Sequence, residues 1–85
     1  NDFEFNKNVL VYPVPAKDIL YIKNTNQPIK EITLYTIDGR KISAKNLPNT
    51  TYNSSLDISL LKSGLYIIKI NDGQNSVSKL ITLLE

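Results

Sequence analysis

Chemistry in this 85-residue sequence would have to come from carboxylates, because the chain contains neither His nor Cys. Those absences exclude a Ser-His-Asp triad, a Cys nucleophile with a His base, and the ordinary zinc sites. The carboxylates are spread over predicted turns and strand ends, and none of their spacings matches a calcium-binding loop. Between residues 9 and 83 they are Asp18, Glu31, Asp38, Asp57 and Asp72.

Two of these carboxylates could in principle form a glycosidase pair, because spacing along the chain does not fix which of them meet. A shallow domain of 85 residues, however, offers little cleft in which burial could raise the pKa of one carboxyl. We therefore expect no enzyme activity, no metal and no cofactor. We expect the carboxylates to cap turns and to keep the surface soluble.

Aromatic side chains offer a second kind of chemistry, the stacking of sugar rings. The sequence contains five Tyr and no Trp, and a sugar-binding platform would require these side chains to converge on one exposed face. Tyr is also favoured in strands for ordinary packing reasons, so the platform is the less favoured interpretation. The residues concerned are Tyr12, Tyr21, Tyr35, Tyr52 and Tyr66.

Composition limits the domain organisation and the partners. The net charge of +2 and the singly dispersed lysines predict no nucleic-acid partner, and no apolar run has membrane-spanning length, so we expect no membrane insertion. The chain begins without Met, and residues 1–8 mix acids, Asn and Phe without a period, as in a linker remnant from a preceding domain. We place one domain at residues 9–83, and residues 84–85 could be a cloning remnant.

Apolar residues recur at every second position in short runs, as in Val9 and Val11 or in Leu20 and Ile22. Side chains two apart share one face of a sheet, and no window shows the three-and-four spacing of a long helix. The pattern predicts about seven short antiparallel strands, too many for one flat sheet with a single buried face, and hence two packed sheets. The predicted strands lie near residues 8–12, 19–23, 29–37, 40–45, 54–59, 64–71 and 76–83.

Turn residues separate these runs. Pro13 and Pro15 cannot donate to a strand ladder, so they should end the first strand and stiffen the passage to the second. The Asp38-Gly39 pair predicts a two-residue type I′ turn that joins the third and fourth strands as an antiparallel hairpin. The stretch NDGQN at residues 71–75 predicts a second turn before the last strand.

The stretch LKSGLY at residues 61–66 leads into the sixth predicted strand. Its Leu, Gly and Tyr have the spacing of a tyrosine corner, in which a buried Tyr hydroxyl bonds to the backbone upstream. Gly64 permits the sharp turn beside Tyr66. This pattern predicts an all-β, immunoglobulin-like β-sandwich, although Tyr66 could also be a core aromatic whose hydroxyl lies in water.

The last predicted strand should serve two purposes. Its alternation places Val77, Ile81 and Leu83 in the core, and we expect the exposed Lys79 and the neighbouring backbone to remain available at a sheet edge. There Lys79 would either contact a partner or guard the edge against pairing.

Four segments together resemble, in order and spacing, the C-terminal sorting domain (type A) of bacterial type IX secretion cargo: VYPVPAKDILYI, ITLYTIDGRKI, LDISLLKSGLYIIKI and SKLI. The resemblance covers about residues 9–82. That family shows a Pro-Asn-Pro-Ala near its start, a Gly-Arg or Gly-Lys after an aromatic strand, a Ser-Gly-x-Tyr entering the next strand, and a Lys-rich last strand. The matching residues are Pro13, Pro15 and Ala16; Gly39 and Arg40, preceded by Asp38; Gly64 and Tyr66; and Lys79.

The chain departs from that pattern in two places. Val14 stands where the family usually has Asn between the prolines, which changes the side-chain hydrogen bonding of that turn but not its stiffness. The end reads SKLITLLE, without the basic final residues that the family often has.

The resemblance implies a folded address label. A cargo protein attached at the N-terminal side would be recognised in the periplasm through this domain and pass the outer-membrane translocon. It would commonly lose the domain to a surface sortase, and so be secreted or remain on the cell surface, often attached to lipopolysaccharide. The alternative function is an immunoglobulin-like spacer or a carbohydrate-binding module of a larger surface enzyme.

Overall fold

The computed structural model describes residues 9–25, 27–48 and 51–84. Residues 1–8 and Glu85, to which the sequence assigns a linker and part of a cloning remnant, lie outside that range. Seven strands occupy the described residues at nearly the predicted positions. They are β1 (Val9–Tyr12), β2 (Ile19–Asn24), β3 (Glu31–Thr36), β4 (Lys41–Asn46), β5 (Asn53–Asp57), β6 (Gly64–Asn71) and β7 (Ser76–Leu83).

The strands form two sheets, both antiparallel. Sheet A has three strands in the order β1-β2-β5, and sheet B has four in the order β4-β3-β6-β7. Consecutive strands β1 and β2, β3 and β4, and β6 and β7 are direct neighbours, whereas β5 returns to sheet A beside β2. The prediction of an all-β, immunoglobulin-like sandwich is confirmed.

Alternation along the strands builds the core between the sheets. In β2, the side chains of Leu20 and Ile22 are buried, while those of Ile19 and Tyr21 lie outside. The predicted inward positions of β7 are confirmed, because Val77, Ile81 and Leu83 are all buried. The buried hydrophobic set is Val9, Ala16, Leu20, Ile22, Ile29, Ile32, Leu34, Ile58, Ile68, Ile70, Val77, Ile81 and Leu83.

The segment after β1 crosses from sheet A to sheet B. Ala16 is completely buried and forms a parallel bridge with Leu83 of β7. Its N–H donates to the Thr82 carbonyl at 2.9 Å, and its carbonyl accepts from the Leu84 N–H at 2.7 Å. Pro13 and Pro15 therefore lie within a sheet-to-sheet crossing, where neither ladder needs the N–H that proline lacks.

The predicted hairpin between β3 and β4 is confirmed, but the prediction that a two-residue type I′ turn joins these strands is wrong. The Gly39 N–H donates to the Thr36 carbonyl at 2.9 Å, so the central residues of the turn are Ile37 and Asp38. Within this turn only Gly39 has a positive φ, of 93°, whereas a type I′ turn would require one at Asp38 too. The loop is three residues long, with Gly in the left-handed position that such loops need.

The tyrosine corner is confirmed. The Tyr66 hydroxyl donates to the Lys62 carbonyl at 2.7 Å, four residues upstream. Gly64 begins β6 with a φ of 145°, outside the range that residues with a Cβ readily adopt. The bond therefore fixes the path of the loop that delivers β6 to the centre of sheet B.

The predicted turn between β6 and β7 is also confirmed. The buried Asp72 accepts from the backbone N–H groups of Gln74 and Asn75, at 2.9 and 2.7 Å. Gly73 has a positive φ of 96°, and a Cβ there would lie 2.8 Å from the Lys30 side chain. The expectation that carboxylates cap turns holds for Asp72.

Replacing the corner hydroxyl tests its contribution to stability. We expect Tyr66→Phe to lower the free energy of unfolding by about 1 kcal/mol, because it removes one hydrogen bond and keeps the ring. Tyr35→Phe is the matched control, since its hydroxyl makes no hydrogen bond within the described residues, and should cost less than about 0.5 kcal/mol. Urea denaturation measures both, and equal costs would contradict the role of the corner.

Candidate recognition surface

Three of the predicted motif segments meet at one end of sheet B. Gly64 of β6 pairs with Leu83 of β7, and Ala16 bridges to that same Leu83 from the other side. Two residues after Gly64 on β6, Tyr66 pairs with Thr36 of β3. Thr36 is the residue at which the turn containing Asp38, Gly39 and Arg40 begins. Residues that are distant in the sequence therefore form one end of the folded sandwich.

The Pro-Val-Pro-Ala segment has an exposed part and a buried part. Pro13, Val14 and Pro15 are exposed, while Ala16 fits completely inside. The Tyr12–Pro13 and Val14–Pro15 peptide bonds are both cis. The proline rings of this motif are exposed to solvent. Its Ala is the residue that bonds the motif to the end of β7.

The expectation that Lys79 is exposed at an edge is wrong. Lys79 is half-buried and alternates with Val77 and Ile81, so its side chain points between the sheets. Its ammonium donates to the Val9 carbonyl at 2.8 Å, across a sequence separation of 70 residues. Because an aliphatic stem can lie among apolar neighbours while its ammonium keeps a polar partner, this position tolerates a lysine. Lys79 thus ties β7 of sheet B to β1 of sheet A.

A second lysine spans the opposite side of the sandwich. The Lys45 ammonium of β4 donates to the Ser55 carbonyl of β5 at 2.9 Å. β4 and β5 are the edge strands on that side, as β7 and β1 are on the other. Lys45 is exposed, so this contact should add less stability than the partly buried one. The sequence pattern did not predict that the carbonyls of Val9 and Ser55 accept hydrogen bonds from these two lysines.

Two of the exposed carboxylates have hydrogen bonds that favour their charged form. The Thr36 hydroxyl donates to Asp38, and this bond is the main reason that the pKa of Asp38 lies below its ordinary value; the nearby Arg40 also lowers it. The hydroxyl of Ser59 lowers the pKa of Asp57 in the same way. Both are turn or strand-end residues, in keeping with a capping role.

The five tyrosines do not form one platform. Tyr12 and Tyr21 stack on the outer face of sheet A, with ring centroids 5.7 Å apart. Tyr35 lies in sheet B, Tyr66 is tied to the Lys62 carbonyl, and Tyr52 precedes β5. The convergence that a sugar-binding platform of five tyrosines requires is therefore contradicted.

A shallow apolar depression lies between β4 and β5. It is lined mainly by Leu34, Ile42, Leu56, Ile58 and Leu61, and Asp57 is its single carboxylate. Among the described residues, no group of three or more acidic side chains is placed to hold a metal ion.

Together, the two antiparallel sheets, the segment that crosses from β1 to β7, and the tyrosine corner define the class: an immunoglobulin-like β-sandwich with three of its four motif segments gathered at one end. The sequence matches the family model of the secretion system C-terminal sorting domain over residues 10–83. The chain belongs to that family. It is a C-terminal sorting signal of type IX secretion, and this family membership implies an attached N-terminal cargo and export to the cell surface or beyond.

Comparison with solved structures supports the fold. The sulfur carrier protein SoxY from Chlorobium limicola f thiosulfatophilum superposes with a TM-score of 0.52 at 11% identity, over 92% of this chain and 80% of SoxY. At that identity the likeness concerns the fold alone. No curated protein matches the sequence. No helix in the described part of the chain has the length and apolarity to cross a bilayer.

Removing the ammonium of Lys79 tests the tie between the sheets. We expect Lys79→Met, which keeps an aliphatic stem, to lower the free energy of unfolding by about 1.5 kcal/mol, because a charge-assisted hydrogen bond is lost. Lys45→Met removes the corresponding exposed contact and should cost less than about 0.5 kcal/mol. Urea unfolding monitored by circular dichroism compares the two, and a larger cost for Lys45→Met would contradict the assignment.

The Asp38 carboxylate provides a pH test. Because its folded-state pKa is depressed below 3.8, its ionisation stabilises the fold above that pH, and this contribution is lost as the pH falls through the folded-state pKa. Thr36→Val should raise the pKa of Asp38 towards 3.8 and leave that of Asp57 unchanged, since Asp57 depends on Ser59. A carboxyl-carbon NMR titration measures both, and an unmoved Asp38 would rule out the Thr36 bond as the cause.

Proposed function

We propose that the translocon of type IX secretion reads the folded sandwich and not a linear tag. The observation that carries this proposal is the meeting of residues 13–16, 38–40 and 64–66 at one end of sheet B. Dispersed along the chain, these segments form a common surface only when β3, β6 and β7 are paired. A receptor that uses them together therefore requires the folded state.

The domain serves as a transit label in this proposal. An N-terminal cargo carries it into the periplasm, the outer-membrane translocon accepts the folded domain, and a surface sortase removes it from the cargo. The isolated domain has no catalytic activity of its own. Its carboxylates support this view, because Asp38, Asp57 and Asp72 are bonded to turn residues and do not form an acid-base pair.

The spacer or carbohydrate-binding alternative has no comparable support. Only Tyr12 and Tyr21 are in ring contact among the described tyrosines, and the two rings stack on each other. The family match favours the sorting signal over that alternative.

Export of a reporter fused to this chain tests whether folding is required. We expect Ile68→Asp to unfold the domain, since Ile68 is 0% exposed and an unpaired carboxylate would enter the core. Exported reporter should then fall at least tenfold in a strain with type IX secretion. The matched control is Leu60→Asp, because Leu60 is 97% exposed, and it should fold and be exported normally.

Each failure has a distinct meaning. An unfolded Ile68→Asp fusion that is exported at the wild-type level would show that a linear tag is read. A wild-type fusion that stays in the cell would contradict the sorting function itself. Mass spectrometry of the exported reporter tests the sortase step, which predicts a product that lacks residues of this domain.

A further inference from the structure

The two sheets have four edges, and three of them are obstructed. β1 is only four residues long, ends at Pro13, and has its Val9 carbonyl occupied by Lys79. β5 has its Ser55 carbonyl occupied by Lys45. β4 carries a bulge at Ile42, where the register with β3 shifts by one residue. Short strands, bulges and lysines are the usual means by which proteins prevent pairing at a sheet edge.

In the part of the chain that the structure describes, the fourth edge, that of β7, is obstructed only at its end. Ala16 bonds to the Thr82 carbonyl and the Leu84 N–H, so even-numbered residues of β7 direct their backbone groups away from β6. The same alternation directs the N–H and C=O groups of Ser78 and Leu80 outward. Within the described residues, no strand pairs with β7 on that side before Ala16. An open run of about five residues, roughly 16 Å long, remains from Ser76 to Leu80.

Lys79 does not guard this run, because its ammonium is held by the Val9 carbonyl between the sheets. Leu80, in contrast, is 60% exposed on the outer face of sheet B and pairs across the ladder with Ile67. The open run therefore combines unpaired backbone groups with an exposed apolar side chain. That combination suits an added strand whose backbone bonds to Ser78 and Leu80.

The charges of sheet B indicate what the added strand should carry. Its strands contain four lysines and one carboxylate: Lys41, Lys45, Lys69, Lys79 and Glu31. β6 and β7 contain no acidic residue. Lys69 pairs in register with Ser78, a small side chain that leaves the outer face open between Lys69 and the edge. A carboxylate on an added strand would find this lysine on its own side of the sheet.

We infer that the open edge of β7 from Ser76 to Leu80 receives an extended acidic segment of the export machinery by strand addition. This inference rests on the proposed sorting function and names a second contact surface, on the β7 edge that leads to the end of sheet B where residues 13–16, 38–40 and 64–66 meet. A second copy of this chain is a poorer occupant, because its β7 carries no carboxylate that could meet Lys69. Ala16 limits the added strand to the part of the edge that precedes Thr82.

Proline substitutions test the backbone part of the inference. Ser78→Pro and Leu80→Pro, made singly, each remove an outward N–H without removing a ladder bond to β6, and prolines are tolerated at such edge positions. We expect each folded variant to reduce export of a fused reporter at least tenfold. Ala44→Pro is the matched control, because Ala44 lies on β4 at the other edge of the same sheet, and it should change export less than twofold.

A charge reversal tests the chemistry without altering the backbone. Lys69→Glu should reduce export at least threefold, whereas Lys41→Glu on β4 should leave it within twofold of the wild type. Circular dichroism and urea unfolding establish which variants are folded, and analytical ultracentrifugation establishes whether the domain self-associates.

The outcomes separate the two proposals. Loss of export in the folded β7 variants, with export retained in the β4 controls, supports strand addition. Wild-type export of a folded Ser78→Pro or Leu80→Pro variant overturns it, as do equal effects of Lys69→Glu and Lys41→Glu, and so does a dimer that the β7 prolines dissociate. A wild-type fusion that is not exported instead refutes the sorting function.

Discussion

The structure depends on the contact of Ala16 with the end of β7. Without it, sheet A and sheet B would be held together chiefly by side-chain packing and the two lysine contacts. Because of two backbone hydrogen bonds between Ala16 and β7, at 2.9 and 2.7 Å, the first segment of the chain, residues 9–16, belongs to both sheets. Ala16 is fully buried, so a larger side chain there would have to displace Leu83 or its neighbours. The family motif thus coincides with a packing constraint, and its Ala is explained by the space available.

The sheets were predictable because burial imposes period two on every strand that has one buried face. β2 and β7 show that alternation clearly, and their predicted bounds agree closely with the structure. The pairing of β5 with β2 was harder to predict from the sequence, because no turn residue links two strands so far apart in the chain. The turn at Asp38 and Gly39 was placed correctly but given the wrong type, since a Gly that follows Asp suits both a two-residue loop and the three-residue loop observed.

The candidate site was predictable only in part. Motif residues could be selected from the sequence, and the bond from Tyr66 to the Lys62 carbonyl followed from local spacing. Lys79 could not be placed by hydropathy, because a charged residue in an edge strand suggests exposure. Its actual partner is the carbonyl of Val9, and a backbone acceptor in a distant strand leaves no trace in side-chain composition. The obstruction of three edges can be recognised only from the strand order of both sheets and from the carbonyl partners of Lys45 and Lys79.

The crossing of the first segment also determines how tension would enter the domain. A cargo joined ahead of Val9 would pull on β1, and the load would reach β7 through the Lys79 contact and the pair of bonds at Ala16. The chain at Ala16 runs parallel to β7, so a pull at its upstream end against a β7 held at its downstream end loads both bonds along the strands, in shear. Such a linkage yields when its bonds fail together and does not unzip one bond at a time. The resistance of residues 9–16 to such a pull therefore comes from the pairing of β1 with β2 together with these few contacts to β7.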